Sequence, residues 1–335
     1  MNPRVVKWGR ALVTIAILVG LVLFARTVNW PATWAQIKQA NAGMLLLASA
    51  VNLVCLVVKG VRWWVFLRPI GSPSLWLAVR ATFAGAGLNN VLVANGGDAA
   101  RVIFVSRATR IPSAKVLATL ALERMFDLVG YVVMLALAVS FLNLPPSIER
   151  MRIFAWIGLV VIAVLFIYLI RRPHQVEAVM APAAGWWAKT RQYGQHFLHT
   201  VGGISTGPRF ASALVLSVIG WALQVATYHL TAIAAGFDIP LVGTVGAVLA
   251  VNLGFAIRAT PGNVGLFQMM YALTATAFGM DKNQAIAVAF LIQTQQIIPV
   301  TLLGIALAPE FIFKKRRPLG EDRADTEAKA SVPVL

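Results

Sequence analysis

Apolar residues in this chain come in long blocks rather than in the half-apolar patterns of soluble helices and strands. A membrane-spanning helix needs about 20 mainly apolar residues. Six blocks read as spans: 11–26, 43–67, 115–144, 152–170, 210–236 and 284–308. Three further stretches are shorter or interrupted. Residues 75–93 carry Arg80 and end in Asn89-Asn90, and only the segment Arg258–Asn263 separates 241–257 from 264–280. The N-terminal block has the basic start of a signal peptide. It reads instead as a first membrane helix, because the rest of the chain is equally apolar and no small-residue cleavage motif follows it closely. The pattern predicts an all-α integral membrane protein with about six to eight transmembrane helices.

Basic residues near span ends favour the cytoplasmic side. Arg4, Lys7 and Arg10 at one terminus and Lys314–Arg317 at the other put both termini in the cytoplasm and make the number of crossings even. The alternation works if 75–110 enters from the cytoplasm and returns, and 241–280 enters from outside and returns; two ordinary spans over 241–257 and 264–280 would leave the parity unchanged. Of the 29 basic residues, 21 then face the cytoplasm and five face outward, with Arg80, Arg124 and Arg258 at membrane depth. The two halves repeat one pattern in opposite directions. Each has a span, a re-entrant helical hairpin and a span, over 43–144 and 210–308. An inverted repeat of this kind places a transporter's site at the interrupted segments near the midplane. Residues 1–313 form a single transmembrane domain. Within it, 171–209, with Trp186-Trp187, is a cytoplasmic amphipathic connector. Residues 314–335 are a basic, polar, disordered cytoplasmic tail. The expected location is the inner membrane.

Composition narrows the function classes. The 335 residues are 59% apolar and 12% charged, with a formal net charge of +17. A soluble domain would carry about 25% charged residues. The excess of base would suggest nucleic acid in a soluble protein, but there are too few charges here to track a phosphate backbone. Nucleic acid is therefore not an expected partner. Anionic lipid headgroups at the basic cytoplasmic loops are, and the chain leaves room for a homo-oligomer. Cys55 is the single cysteine, so no intramolecular disulfide forms. His196 and His199 have a helical metal-ligand spacing but no neighbouring Cys or carboxylate, so they read as a solvated pair. No metal and no cofactor is expected.

The chemistry concentrates at a few places. Glu123-Arg124-x-x-Asp127 puts three ionisable groups into one turn of a span, at a cost of about 2.5 kcal/mol or more each. Glu123 lies about 12 Å into the helix from Lys115. The turn is either the wall of a polar cavity or an ion cluster that pins helix packing. Asn52, Cys55, Lys59 and Arg62 share an arc of about 80° on their helix. They form either a basic stripe that attracts phosphate or a set of snorkelling side chains. Asn95-Gly96-Gly97-Asp98, followed by Arg101, opens a return helix whose free N–H groups would favour an anion. Pro261-Gly262-Asn263-Val264-Gly265 repeats that interruption in mirror position, with Arg258 before it. Gln293–Gln296 matches the place of Glu123–Asp127. Gln224, Thr227, Tyr228 and Thr231 form a polar stripe of the sort that more often holds helices together.

Three of these elements, in the same order, resemble the flippase-like family of the lysylphosphatidylglycerol synthase transmembrane region. They are Gly96-Gly97-Asp98 with Arg101, Glu123-Arg124-x-x-Asp127, and Thr260-Pro261-Gly262-Asn263-Val264-Gly265-Leu266-Phe267. The resemblance covers about residues 10–310. It implies movement of lipids across the membrane: aminoacylated phosphatidylglycerol in the best-known members, and polyprenyl-phosphate sugars or hopanoid lipids in relatives. It implies no aminoacyl transfer, since the synthase domain is missing. Two positions depart from the family pattern. Asn263 stands where a further Gly is usual, and Gln268 stands where an acid is usual. If that acid binds a cationic headgroup or a proton, this chain handles another lipid or uses another coupling.

The expected function is translocation of a polar, phosphate-bearing membrane lipid, with no catalytic residues. Arg101, Arg124 and Arg258 would hold phosphate, and Asp98, Glu123 and Asp127 would balance them or receive cationic groups. Lys59, Arg62 and Gln293 would complete the site with Gly96, Gly97, Pro261, Gly262, Asn263 and Gly265. Two alternatives stand beside this. One is an intramembrane lipid-modifying enzyme. The other is a non-catalytic partner in the assembly of envelope lipids, such as hopanoid or polyprenyl-linked ones.

Overall fold

Asparagines open the first helices of the described chain. Asn29 and Asn41 each accept an N–H three residues on, from Ala32 and Met44, at 3.2 and 3.0 Å. Each thereby satisfies one of the orphan donors of a helix start. The computed structural model describes residues 26–71, 74–91, 96–141, 153, 156–161, 164, 207–255 and 260–307. The 11–26 block apart from Arg26, the connector up to residue 206, the tail, Asn95, Arg258, His196 and His199 lie outside the described residues, as does most of 152–170.

All regular elements among the described residues are helical: α1 (Trp30–Gln39), α2 (Ala42–Leu67), α3 (Leu75–Val91), α4 (Gly96–Thr109), α5 (Ser113–Phe141), α6 (Gly207–Ala234), α7 (Leu241–Gly254), α8 (Leu266–Ala277) and α9 (Lys282–Leu307). Short 3-10 turns cover Arg68–Ile70 and Pro261–Asn263. Among the described residues, three helices are long and apolar enough to cross a membrane: Ala42–Ile70, Pro208–Ala234 and Lys282–Leu307. α5 is 29 residues long and carries the ionisable turn. By contrast α3, α4, α7 and α8 have 17, 14, 14 and 12 residues. The outward faces of the long helices are apolar. Leu46, Val218 and Leu302 are 72, 54 and 62% exposed, a surface that hydrocarbon would cover and water would not.

Two apolar cores hold the helices together. One joins Trp63 and Leu67 of α2 to Phe104 and Val105 of α4 and to Leu122 and Phe126 of α5. It is completed by Ala213 and Phe210 from the start of α6. The other joins Tyr228 of α6, Val248 of α7, Phe267 and Tyr271 of α8, and Ile286 and Ile292 of α9. The cores are locked to each other across the halves. α2 lies along α6, α3 packs on α9, and α5 packs on α7. Glycines set two of the closest approaches. A Cβ on Gly97 would fall on the Gly85 carbonyl oxygen, and one on Gly130 would fall on the Trp221 indole. Adding a methyl at either place would force helices apart.

Candidate functional site

α3 and α4 fold back on each other, as do α7 and α8, and the Gly-rich ends of both pairs meet. Gly262 sits against Asn90, and a Cβ there would be 3.4 Å from the Asn90 carbonyl oxygen. Asn90 is fixed from α9, donating to the Gln296 carbonyl at 3.3 Å and to the Thr301 hydroxyl at 3.2 Å. Between the meeting ends and the long helices lies a cavity of about 650 Å³, of the size that takes a small ligand. Its wall draws on both halves of the chain.

Six charged side chains run along this wall in alternating sign. Asp98 Oδ2 is 2.7 Å from Arg124 Nη2, and Arg124 Nη1 is 3.4 Å from Asp127 Oδ2. Asp127 Oδ1 is 2.6 Å from Arg62 Nη2, which lies 3.6 Å from Glu123 Oε1. Glu123 Oε2 in turn accepts from Arg101 Nη2. The chain Asp98–Arg124–Asp127–Arg62–Glu123–Arg101 therefore sums to zero. Its inner end is dry: Arg62, Arg101 and Glu123 are 2, 4 and 3% exposed. Charges so placed persist only when paired and hydrogen-bonded. Arg62 gains a further partner in Ser217 Oγ at 2.9 Å. Arg101 stacks over Trp63, 4.2 Å from the ring centroid, a favourable place for a cation. Arg124 is the most open member, with its side chain 49% exposed.

Helix geometry explains the order. Glu123 and Asp127, four residues apart, present one face to Arg62 on α2. Arg124, one residue along, turns toward Asp98 at the start of α4. The stripe on α2 also faces the cavity as a unit, since Asn52, Cys55, Lys59 and Arg62 all line it. Lys59 has no carboxylate within ion-pair distance among the described residues.

The second interruption is built on backbone that favours glycine. Gly262, Asn263 and Gly265 have φ of 59, 58 and 91°. Asparagine is the residue other than glycine that enters this region most readily, so Asn263 keeps the turn that a Gly would make. Asn263 Nδ2 donates to the Gly254 carbonyl at 3.3 Å. Gln268 is buried and is not among the residues that line the cavity. Its Oε1 accepts the Gly265 N–H at 2.7 Å, and its Nε2 donates to Gln293 Oε1 at 2.5 Å. Gln293 Nε2 then donates to the Gly262 carbonyl at 2.8 Å. The amide at 268 is thus a strut behind the site, not a contact to a headgroup.

Most of the expected residues come together. Lys59, Arg62, Asp98, Arg101, Glu123, Arg124, Asp127, Gly262, Asn263 and Gln293 share the one wall. Gly96, Gly97 and Gly265 are not on it. The Gly97 N–H is taken by Asn89 Oδ1 at 2.9 Å, and the Gly265 N–H by Gln268. These two amides are therefore not free to meet an anion, and the glycines serve close approach and turning. Arg101 is committed to Glu123, so a buried pair stands where a phosphate-holding arginine is expected from sequence. Arg62 and Arg101, expected from sequence at the cytoplasmic surface, are instead buried. On α6, Thr231 Oγ1 donates to Gln295 Oε1 at 3.1 Å, which is helix-to-helix adhesion, while Gln224 reaches the cavity. Sequence reasoning passed over Asn89, Ser217 and Asn252. The Asn89-Asn90 pair ending an apolar block was the available signal for the first.

Known proteins share this sequence over most of its length. The family model described as the lysylphosphatidylglycerol synthase TM region matches residues 11–304. The UPF0104 membrane protein PH1989 of Pyrococcus horikoshii is 22% identical over 334 residues, covering 91% of this chain and 98% of its own. The UPF0104 membrane protein MJ1595 of Methanocaldococcus jannaschii is 20% identical over 280 residues, covering 79% of this chain and 83% of its own. The glycosyltransferase AglD of Haloferax volcanii is 24% identical over 341 residues, which is 91% of this chain but 54% of that protein. This chain thus spans about half of AglD's length. With the motif order and the match from 11 to 304 in agreement, the chain belongs to the family of the lysylphosphatidylglycerol synthase transmembrane region.

Proposed function

We propose that this protein translocates a polar, phosphate-bearing lipid across the inner membrane. The observation that carries the reading is the cavity at the meeting of the two hairpin ends. It is walled by a charge chain that is internally neutralised and so survives in an apolar surround. In this reading α3–α4 and α7–α8 are re-entrant. At about 1.5 Å per residue they reach roughly 18–26 Å, short of a hydrocarbon core of about 30 Å. The reciprocal packing of α2 on α6, α3 on α9 and α5 on α7 supports an inverted repeat over 43–144 and 210–308. Sites of such repeats lie at their interface. Both termini are cytoplasmic in this arrangement, and anionic headgroups gather at the basic loops.

The test is flipping of a fluorescent phospholipid in proteoliposomes. Arg124→Ala removes the exposed link between Asp98 and Asp127 and is expected to abolish flipping while the protein stays folded. Wild-type rates in that variant would sink the site assignment. Glu123→Gln is a harsher change, because it leaves Arg62 and Arg101 buried with one carboxylate fewer between them. It is expected to cost about 3–5 kcal/mol of stability as well as activity, read as a lower melting temperature in detergent.

A second reading, a lipid-modifying enzyme, is favoured by one observation, the name glycosyltransferase carried by AglD. Chemical change of a lipid incubated with the pure protein would decide for it. A third, a non-catalytic partner in envelope-lipid assembly, would tolerate joint neutralisation of Glu123 and Arg124.

A further inference from the structure

The cavity wall carries four cations among the described residues: Lys59, Arg62, Arg101 and Arg124. Three are answered by three carboxylates in the alternating chain. Asp127 lies within electrostatic reach of Lys59, but Arg62 and Arg124 already bind both of its oxygens. Lys59 is left over, half-buried, in the middle of a polar stripe that faces the cavity. Two further donors lie behind the surface of this wall. The guanidinium Nε atoms of Arg62 and Arg101, both nearly fully buried, have no hydrogen-bond partner. Asn263 Oδ1, an acceptor on the same wall, is likewise unpaired, so the imbalance lies in the formal charge, which among the described residues is one positive unit in excess.

We infer that the cavity is a site for a singly charged phosphodiester headgroup and that Lys59, not the arginines, is the residue that reads its charge. The inference rests on the lipid-transport reading of the same cavity. A headgroup of charge −1 neutralises the wall. A zwitterionic headgroup brings a second positive group to a wall with no spare carboxylate, and a cationic headgroup adds to the excess. The arginines set the shape and are spent on one another's partners. Lysine suits the remaining task because an ammonium is a compact point charge on a flexible stem.

The full-length protein, purified in detergent, is titrated with phosphatidylglycerol, phosphatidylcholine and a synthetic cationic lipid, and retention is read by native mass spectrometry. Phosphatidylglycerol is expected to be retained over the other two. Lys59→Gln should weaken its retention about tenfold or more, the loss of one charge-assisted contact, and remove the preference over phosphatidylcholine. Lys59→Arg should keep the preference. Equal retention of phosphatidylglycerol and phosphatidylcholine by the unaltered protein overturns the inference without any variant. An undiminished preference in Lys59→Gln overturns the role of Lys59. Deacylated glycerophosphoglycerol is added as a competitor, and displacement at equal concentration would overturn the lipid source. The transport reading is separable. Charge-selective retention without flipping sinks transport and leaves this inference, whereas flipping without charge preference does the reverse.

Discussion

At the scale of single residues, the same side-chain type does different work depending on what faces it. Arg101 and Arg124 are both paired with carboxylates, yet one is sealed against Trp63 and Glu123 and the other is half in the open. The residue departures from the family pattern also divide. Asn263 sits at φ 58°, where Asn and Gly are near equivalents for the backbone, so Asn263→Gly keeps the turn and loses the bond to the Gly254 carbonyl, an expected cost of about 1–3 kcal/mol. A β-branched residue such as Val there should cost more. Gln268 is held at both ends of its amide. A carboxylate could still cap Gly265, but it cannot donate to Gln293; it could only accept from Gln293 Nε2 after that amide turned over and released the Gly262 carbonyl. Gln268→Glu is therefore expected to cost about 1–3 kcal/mol, seen as earlier melting with the helix content unchanged. Sequence alone made Gln268 a candidate for substrate selectivity. Nothing in the residue string could say that its amide is turned to Gln293.

At the scale of elements, the blocks read from hydropathy correspond closely to helices. The spans at 43–67, 210–236 and 284–308 reappear as α2, α6 and α9 within a few residues. Their lengths were legible because apolar run length and helix length are set by the same hydrocarbon thickness. The partners of charged residues were less so. The pairing of Arg124 with Asp127 follows from spacing on one helix. The pairings of Arg62 with Asp127 and of Arg101 with Glu123 join residues 65 and 22 positions apart, and depend on how helices cross. The surroundings of Gly97 were hidden for the same reason. Gly97 looked like an anion cradle, but its neighbour is the carbonyl of Gly85, across the hairpin. Gly97→Ala is expected to splay α3 from α4 and lower stability by about 1–3 kcal/mol, in the range of overpacking, with a matching loss of expression in folded form.

At the scale of the whole molecule, sidedness is the property to test. In a background where Cys55 is replaced, single cysteines at Arg110 and Lys282 should label with a membrane-impermeant maleimide from opposite sides. A cysteine at Val264, 43% exposed, should not label from the cytoplasm. Labelling there would turn α7 and α8 into parts of ordinary spans and remove the mirror relation between the halves.

The first core also has a consequence for how the chain is made. Phe210 and Ala213 belong to α6, yet they pack with Phe126 in the core built by α2, α4 and α5. Until α6 is made, the described part of this core, up to α5, lacks the flank that Phe210 and Ala213 supply. The first turns of α6 close it before the rest of α6 begins the second core. The helix that founds one half is the lid of the other, and a gene split after residue 141 would yield a fragment that waits for its partner to be sealed.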